Sequence, residues 1–197
     1  MFFKYFKILF LPIIIVFAMN SFFIVNEFQQ AIVLQFGRPI SSKTTAGIAF
    51  KLPFLQNVIK FDKRILEWDG DATEVPTKGM LDKRATAASL KKEKQETTNI
   101  FIDTFARWRI SDPLKFYISV NNEKQAQSRL DGILDGKIRD KIAPQYIDNI
   151  VVNSDQIMAE ALESIRLEFE SLDIGIEVLG IEIKRLTFNN KIMPQVF

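Results

Sequence analysis

Apolar and polar positions divide this chain into an apolar start, a series of strands, two amphipathic helices and a last strand. Ile8 to Val25 (ILFLPIIIVFAMNSFFIV) carries no charge over 18 residues. At a helical rise of about 1.5 Å per residue this covers roughly 27 Å, close to the hydrocarbon thickness of a bilayer. The exit, Ala18-Met19-Asn20-Ser21-Phe22-Phe23, ends in bulky aromatics. A cleaved signal has a shorter apolar run and a small-residue exit, so the pattern favours an uncleaved anchor over a cleaved signal or a buried helix. Residues 23–36 predict a strand, with Phe28, Ile32, Leu34 and Phe36 near the period of two of a half-buried strand. Gly37-Arg38-Pro39 predicts a turn, and Pro53 suits an edge or a turn. Asn57 to Trp68 predicts a second long strand with Val58, Ile59, Phe61, Ile65, Leu66 and Trp68 as core candidates.

Glu96 to Ile110 is the most regular strand pattern. Ile100, Ile102, Thr104, Ala106, Trp108 and Ile110 share one face, and Phe101, Asp103, Phe105, Arg107 and Arg109 the other. The second face mixes aromatics with charge, which predicts partial exposure or contact with another subunit. Phe101, Phe105, Arg107 and Arg109 are the candidate assembly surface, against the plainer reading of a solvated strand side. Asp112 is a candidate N-cap with Pro113 at the first helical position, opening a short helix to Val120. Glu123 to Ala143 repeats Ala126, Leu130, Ile133, Leu134, Ile138 and Ile142 at helical spacing, and Gly132 and Gly136 permit close approach of another element. Pro144 stops this helix. A second helix follows over about Asp155–Leu172, with Asn153 or Ser154 as N-cap and a stripe through Ile157, Met158, Ala161, Leu162, Ile165, Phe169 and Leu172. Ile174 to Phe188 predicts a last strand, with a bulge at Leu179-Gly180. Strands segregated from helices predict an α+β fold, with helices on one face of an antiparallel sheet.

Charge sets the orientation. Lys4 and Lys7 precede the apolar run, and the first basic residue after it is Arg38. The N-terminus is therefore expected in the cytoplasm and residues 26–197 across the membrane, on the periplasmic side of a bacterial inner membrane. Two of the 26 basic residues and none of the 24 acidic ones precede Glu27, so the remainder is balanced at 24 of each. That balance argues against a nucleic-acid partner. Lys78 to Lys94 holds six basic and two acidic residues and few large apolar ones. A solvated loop is the simplest reading of 78–95, ahead of contact with anionic headgroups or a partner.

The chain has no Cys and no His. That removes disulfides, thiol nucleophiles, the commonest general base and the commonest metal ligand. No Gly-rich phosphate loop is present. The best acidic group, Asp69, Asp71 and Glu74, falls in an expected turn and is more simply solvated. No catalytic, cofactor-binding or metal-binding residues are assigned, and the expectation is a chain that is not an enzyme.

Several stretches carry a resemblance: Val25-Asn26-Glu27; Ala31 to Arg38; Ala46-Gly47-Ile48 to Lys51-Leu52-Pro53-Phe54; Asp62-Lys63-Arg64; Arg107 to Pro113; and Leu179 to Ile183. In this order the chain resembles the SPFH family (stomatin, prohibitin, flotillin and HflK–HflC, or band 7), with the RWRISDP stretch and the ending closest to its HflC branch. The resemblance implies a transmembrane signal anchor at 1–25, an SPFH domain at 26–188 interrupted by the 78–95 insertion, and at 189–197 the start of a C-terminal helical region. It implies a single-pass scaffold in the lipid bilayer, hetero-oligomeric with an HflK-like protein and modulating an FtsH-type membrane protease, with no cofactor. The alternative is a stomatin-like organiser of membrane microdomains with another client. Family members continue into a long charged helix where this chain stops, so the expectation is a fragment, a truncated reading frame or a short paralogue.

Overall fold

The computed structural model describes Pro12, residues 17–79 and residues 97–188. Most of the anchor expected at 1–25, most of the 78–95 loop and the 189–197 segment lie outside the described residues. Among the described residues no helix is long and apolar enough to cross a membrane. Phe17–Met19 are helical, and Ser21 donates its hydroxyl to the Phe17 carbonyl at 2.7 Å. Phe22–Val25, the end of the expected span, is strand β1. Aromatic and β-branched side chains favour that conformation once a partner strand is present. The partner is β4 (Gly47–Phe50), with Phe22 opposite Phe50 and Val25 opposite Gly47.

The chain separates into two compact units, Met1–Arg64 with Ile110–Asn121, and Ile65–Arg109 with Asn122–Phe197. Among the described residues the antiparallel strands form three sheets, where one was expected. In the first unit β2 (Gln29–Gln35) lies between β3 (Arg38–Lys43) and β5 (Gln56–Asp62). The single strand expected over 23–36 is thus two strands, parted by a turn in which the Gln29 N–H donates to the Asn26 carbonyl. β2 is not half-buried as expected. All five residues from Gln30 to Leu34 are buried, while Phe28 and Phe36, just outside it, are exposed. The reason is its central position and a cover, helix α1 (Pro113–Ser119), on β2 and β3. Phe116 meets Phe61 edge-on at 5.3 Å between ring centres. Asp112 caps α1 as expected, accepting from the Leu114 and Lys115 N–H groups at 2.9 and 3.1 Å. Buried Gln30 donates to the Ile110 carbonyl at 3.0 Å, which satisfies two groups whose burial alone is costly.

Two turns differ from expectation. The first reversal is at Phe36-Gly37, and Arg38 already pairs with Gln35 as β3 begins. Pro39 sits on that strand, which is an edge, where its missing N–H costs no ladder bond. The strand expected over Asn57–Trp68 breaks at Asp62-Lys63-Arg64. The Asp62 carboxylate accepts the Arg64 N–H at 2.8 Å, closing a side-chain turn. Its other oxygen takes the Arg64 guanidinium at 2.7 Å, and that guanidinium lies 5.7 Å from the Phe28 ring centre. Of the expected core residues here, only Phe61 and Trp68 are buried.

The second unit is built on β8 (Thr97–Ile110), which pairs with β6 (Leu66–Asp69), β7 (Thr73–Lys78) and β9 (Ile176–Phe188). Its alternation is as read from the sequence, with Ile100, Ile102, Thr104, Ala106, Trp108 and Ile110 all buried. Helix α2 (Glu123–Ile142) buries Ala126, Leu130, Leu134, Ile138 and Ile142, leaving Ile133 half-buried. Asn122 caps it by accepting the Gln125 N–H at 2.9 Å. A short helix α3 (Ile147–Val152), not expected, buries Ile147 and Ile150. Helix α4 (Ser154–Leu172) buries Ile157, Met158, Ala161, Ile165 and Phe169 and packs on α2 and β9, while Leu172 is exposed. Ile174, just before the last strand, is buried, as are Ile176 and Val178 along it and then Ile181. The buried parity changes across Leu179-Gly180, where the bulge was expected.

Glycine positions separate into two kinds. A Cβ on Gly70 lands 2.4 Å from the ring of fully buried Trp68, so only glycine fits under that indole. A Cβ on Gly132 or Gly136 meets nothing within 4 Å, so no described element uses the close approach these glycines permit. Gly132→Ala and Gly136→Ala are each expected to stabilise the second unit by about 1 kcal/mol. Gly70→Ala is expected to destabilise it by about 1–3 kcal/mol through displacement of Trp68. Urea midpoints of the three variants check the opposite signs.

Candidate functional site

Phe101, Phe105, Arg107 and Arg109 all lie on the less buried face of β8. Phe101 sits opposite Glu74 of β7, and Phe105 opposite Asp69 of β6. The two arginines are already partnered within the unit. Arg107 bonds Glu182 and Arg109 bonds Glu177, both at 2.8 Å and both across to β9. Lys184 of β9 reaches Asp69 at 2.9 Å, which raises the lysine's pKa, first through that hydrogen bond and then through the carboxylate's charge. The Arg107 guanidinium lies over Gly180, 3.5 Å from where a Cβ would stand. The face is therefore a ladder of alternating charges across β6, β8 and β9. The two half-exposed arginine pairs are worth only roughly 0.2–1 kcal/mol each. They fix strand register and neutralise the face more than they stabilise it. Sequence reading put these four residues on one strand face but did not show their partners, because Glu177 and Glu182 lie some 70 residues downstream with no local signal.

The acidic residues singled out in the sequence do not form a group. Asp69 is held by Lys184, Glu74 accepts from the Asn99 amide at 2.8 Å, and Asp71 sits in the bend between β6 and β7. Among the described residues no set of three or more acidic side chains is placed to hold a metal ion. A different carboxylate is perturbed. Asp131 accepts the Trp68 indole N–H at 2.6 Å, and Asp135 is one helical turn further on. Burial first, and then the Asp131 charge, pushes the Asp135 carboxyl up, with Arg139 opposing. At the edge of the 78–95 loop, the Lys78 N–H donates to the Gln145 carbonyl at 3.1 Å and its ammonium lies 5.4 Å from the Tyr146 ring centre.

A second surface was not anticipated. In the first unit Phe22 and Ile24 of β1, Ile48 and Phe50 of β4, and Phe36 and Phe54 in turns are all exposed. Phe22 and Phe50 meet edge-on at 5.9 Å, and Phe17 lies 6.2 Å from Phe54. Monomeric proteins rarely leave so large an apolar surface to water, and such patches mark membrane or partner contact. Phe22–Val25 (FFIV) and Gly47–Phe50 (GIAF) contain no polar position, so no alternation in the sequence marks which side chains face outward.

A family profile described as the SPFH domain / Band 7 family matches residues 23–196. The chain belongs to that family. Protein HflC of Treponema pallidum is 35% identical over 139 residues, covering 71% of this chain and 37% of that protein. Protein HflC of Borreliella burgdorferi is 27% identical over 201 residues, covering 88% of this chain and 58% of that protein. The Escherichia coli K12 protein named modulator of FtsH protease HflC is 22% identical over 231 residues, covering 94% of this chain and 64% of that protein. This band 7 chain is HflC-like, and it spans between 37% and 64% of the length of these relatives.

An acid whose folded pKa exceeds its unfolded value holds its proton longer when folded, so stability falls as pH rises through that window. Asp135→Asn is therefore expected to raise the urea midpoint at neutral pH. The gain should vanish below the unfolded carboxylate pKa of about 3.9. Denaturation of both proteins across pH 3 to 8 reads the sign.

Proposed function

We propose that this chain is a membrane-anchored, HflC-like scaffold that assembles with an HflK-like partner and modulates an FtsH-type membrane protease. The observation that carries the membrane part is the exposed apolar surface of the first unit, beside the point where Phe17–Ser21 lead in from the apolar start. An anchor in the residues before β1 would deliver that surface directly to the bilayer. The Lys4 and Lys7 flank favours a cytoplasmic N-terminus, with the SPFH domain of residues 26–188 on the periplasmic side. Family membership and the name of the E. coli relative support the protease-modulating part. In this reading the chain acts by holding and positioning partners and performs no chemistry.

The charged face of β8 serves assembly in this account. With Arg107 and Arg109 tied to β9, the contact energy falls on Phe101 and Phe105, while the paired charges set specificity. Purification of the full chain from native membranes in mild detergent is expected to recover an HflK-like protein and the protease together. Phe101→Ser with Phe105→Ser is expected to lose both while keeping the thermal midpoint within a few degrees. Recovery of neither partner by the unaltered chain at native expression contradicts the proposal, and recovery of lipid-domain proteins instead supports a stomatin-like organiser.

A further inference from the structure

The end of β6 is tied to helix α2 through a carboxylate on the helix surface. Trp68 is fully buried, and its indole N–H donates to the Asp131 carboxylate at 2.6 Å. One turn before Asp131, the Gln127 side chain donates to the Glu67 carbonyl at 3.3 Å. The indole itself has little freedom. Gly70 lies against its ring, and the Gly70 N–H donates to the Thr104 carbonyl of β8 at 3.0 Å. The strand side of the Trp68–Asp131 bond is therefore fixed, and any change in the bond comes from α2.

Charge around that bond is lopsided. Asp135 is half-buried one turn beyond Asp131, so the two carboxyls are neighbours on α2, and like charges at this spacing repel. Asp71, in the bend between β6 and β7, adds a third negative charge, and the cation that opposes them at Asp135 is Arg139. The other charges of the packed elements are turned away or committed. Glu67 and Asp69 flank Trp68 and point to the other face of the sheet, where Asp69 holds Lys184. Glu74 of β7 accepts from Asn99, and Lys137 of α2 pairs with Glu168 of α4 at 3.2 Å. Burial first, and then Asp131, make Asp135 keep its proton to a higher pH than an open aspartate does.

We propose that Asp131 and Asp135 form a proton-operated clasp between α2 and β6, which the Trp68 indole reads. In the alkaline form both carboxylates are charged and repel each other and Asp71. In the acid form one proton, taken from water, sits on Asp135 and is donated to the free oxygen of Asp131, whose other oxygen keeps the indole N–H. The repulsion is relieved, and a continuous run of bonds joins Asp135, Asp131 and Trp68. α2 is then held more firmly on the end of β6. Asp131 serves two donors in this form, so it draws less on the indole N–H. The proton is thus shared by two residues and felt on the sheet, beyond an effect on stability from Asp135 alone.

Trp68 and Trp108 are the only tryptophans of the chain, so indole-15N tryptophan gives the full-length protein two N–H resonances. Trp108 is the internal control, because it is buried and its indole N–H has no acceptor among the described residues. In detergent micelles between about pH 4 and 8, the Trp68 resonance is expected to move upfield on acidification. Its midpoint should lie above about 3.9, the value of an open aspartate, while Trp108 stays still. Asp135→Asn should hold the Trp68 resonance near its acid position throughout, since the amide donates as the protonated carboxyl does. Asp71→Asn should keep the titration and lower its midpoint. Trp108→Phe assigns the two resonances. If that variant does not fold, Asp131→Asn, at an exposed position, assigns them by moving Trp68 alone. A Trp68 resonance that is flat, that titrates no higher than an open aspartate, or that titrates unchanged in Asp135→Asn overturns the clasp.

Discussion

One strand sets the terms for the second unit. β8 must bury the even side of a 14-residue strand and keep the odd side, with its two arginines, in contact with water. The first demand brings the stripes of α2 and α4 and the rings of Trp68 and Trp108 into one core. The second fixes where β9 lies, because Glu177 and Glu182 must reach Arg109 and Arg107. The change of buried parity at Leu179-Gly180 lets β9 keep apolar residues inward on both sides of that point. Arg166 of α4 serves the same place, donating to the Val178 and Leu179 carbonyls at 3.0 and 2.9 Å. The irregular backbone there is thus hydrogen-bonded from the helix above it.

The first unit obeys the opposite economy. Its core is small, centred on β2 and the Phe61–Phe116 contact, and its outer surface is apolar where a soluble protein would be polar. Water is a poor solvent for that surface. Family membership, the uncharged start of the chain and the exposed phenylalanines are all accounted for if the unit meets a bilayer. The charged, self-neutralised face of the second unit suits water.

Sequence legibility followed the range of the interactions. β8, α2 and α4 were readable because one burial period governs each of them, and the Asp112-Pro113 cap because it is local. The breaks at Asn26–Phe28 and Asp62–Arg64 were not, since apolar periodicity runs through both and only side-chain turns and partner strands divide them. β2 was misread as half-buried because α1, some 80 residues away, supplies its second cover. The candidate surface on β8 was visible in part. Its residues alternate plainly, but the glutamates that neutralise it are distant. The apolar end of the first unit was hidden by the longer apolar run before it.

The central claim is the proposal that the exposed apolar surface of the first unit, which includes Phe36 and Phe54, faces a bilayer. Electron paramagnetic resonance of full-length Phe54→Cys carrying a nitroxide, in a bilayer, tests it most directly. The account predicts high accessibility to oxygen and low accessibility to a water-soluble nickel chelate at position 54, with the reverse at position 44. Equal chelate accessibility at the two positions would contradict it.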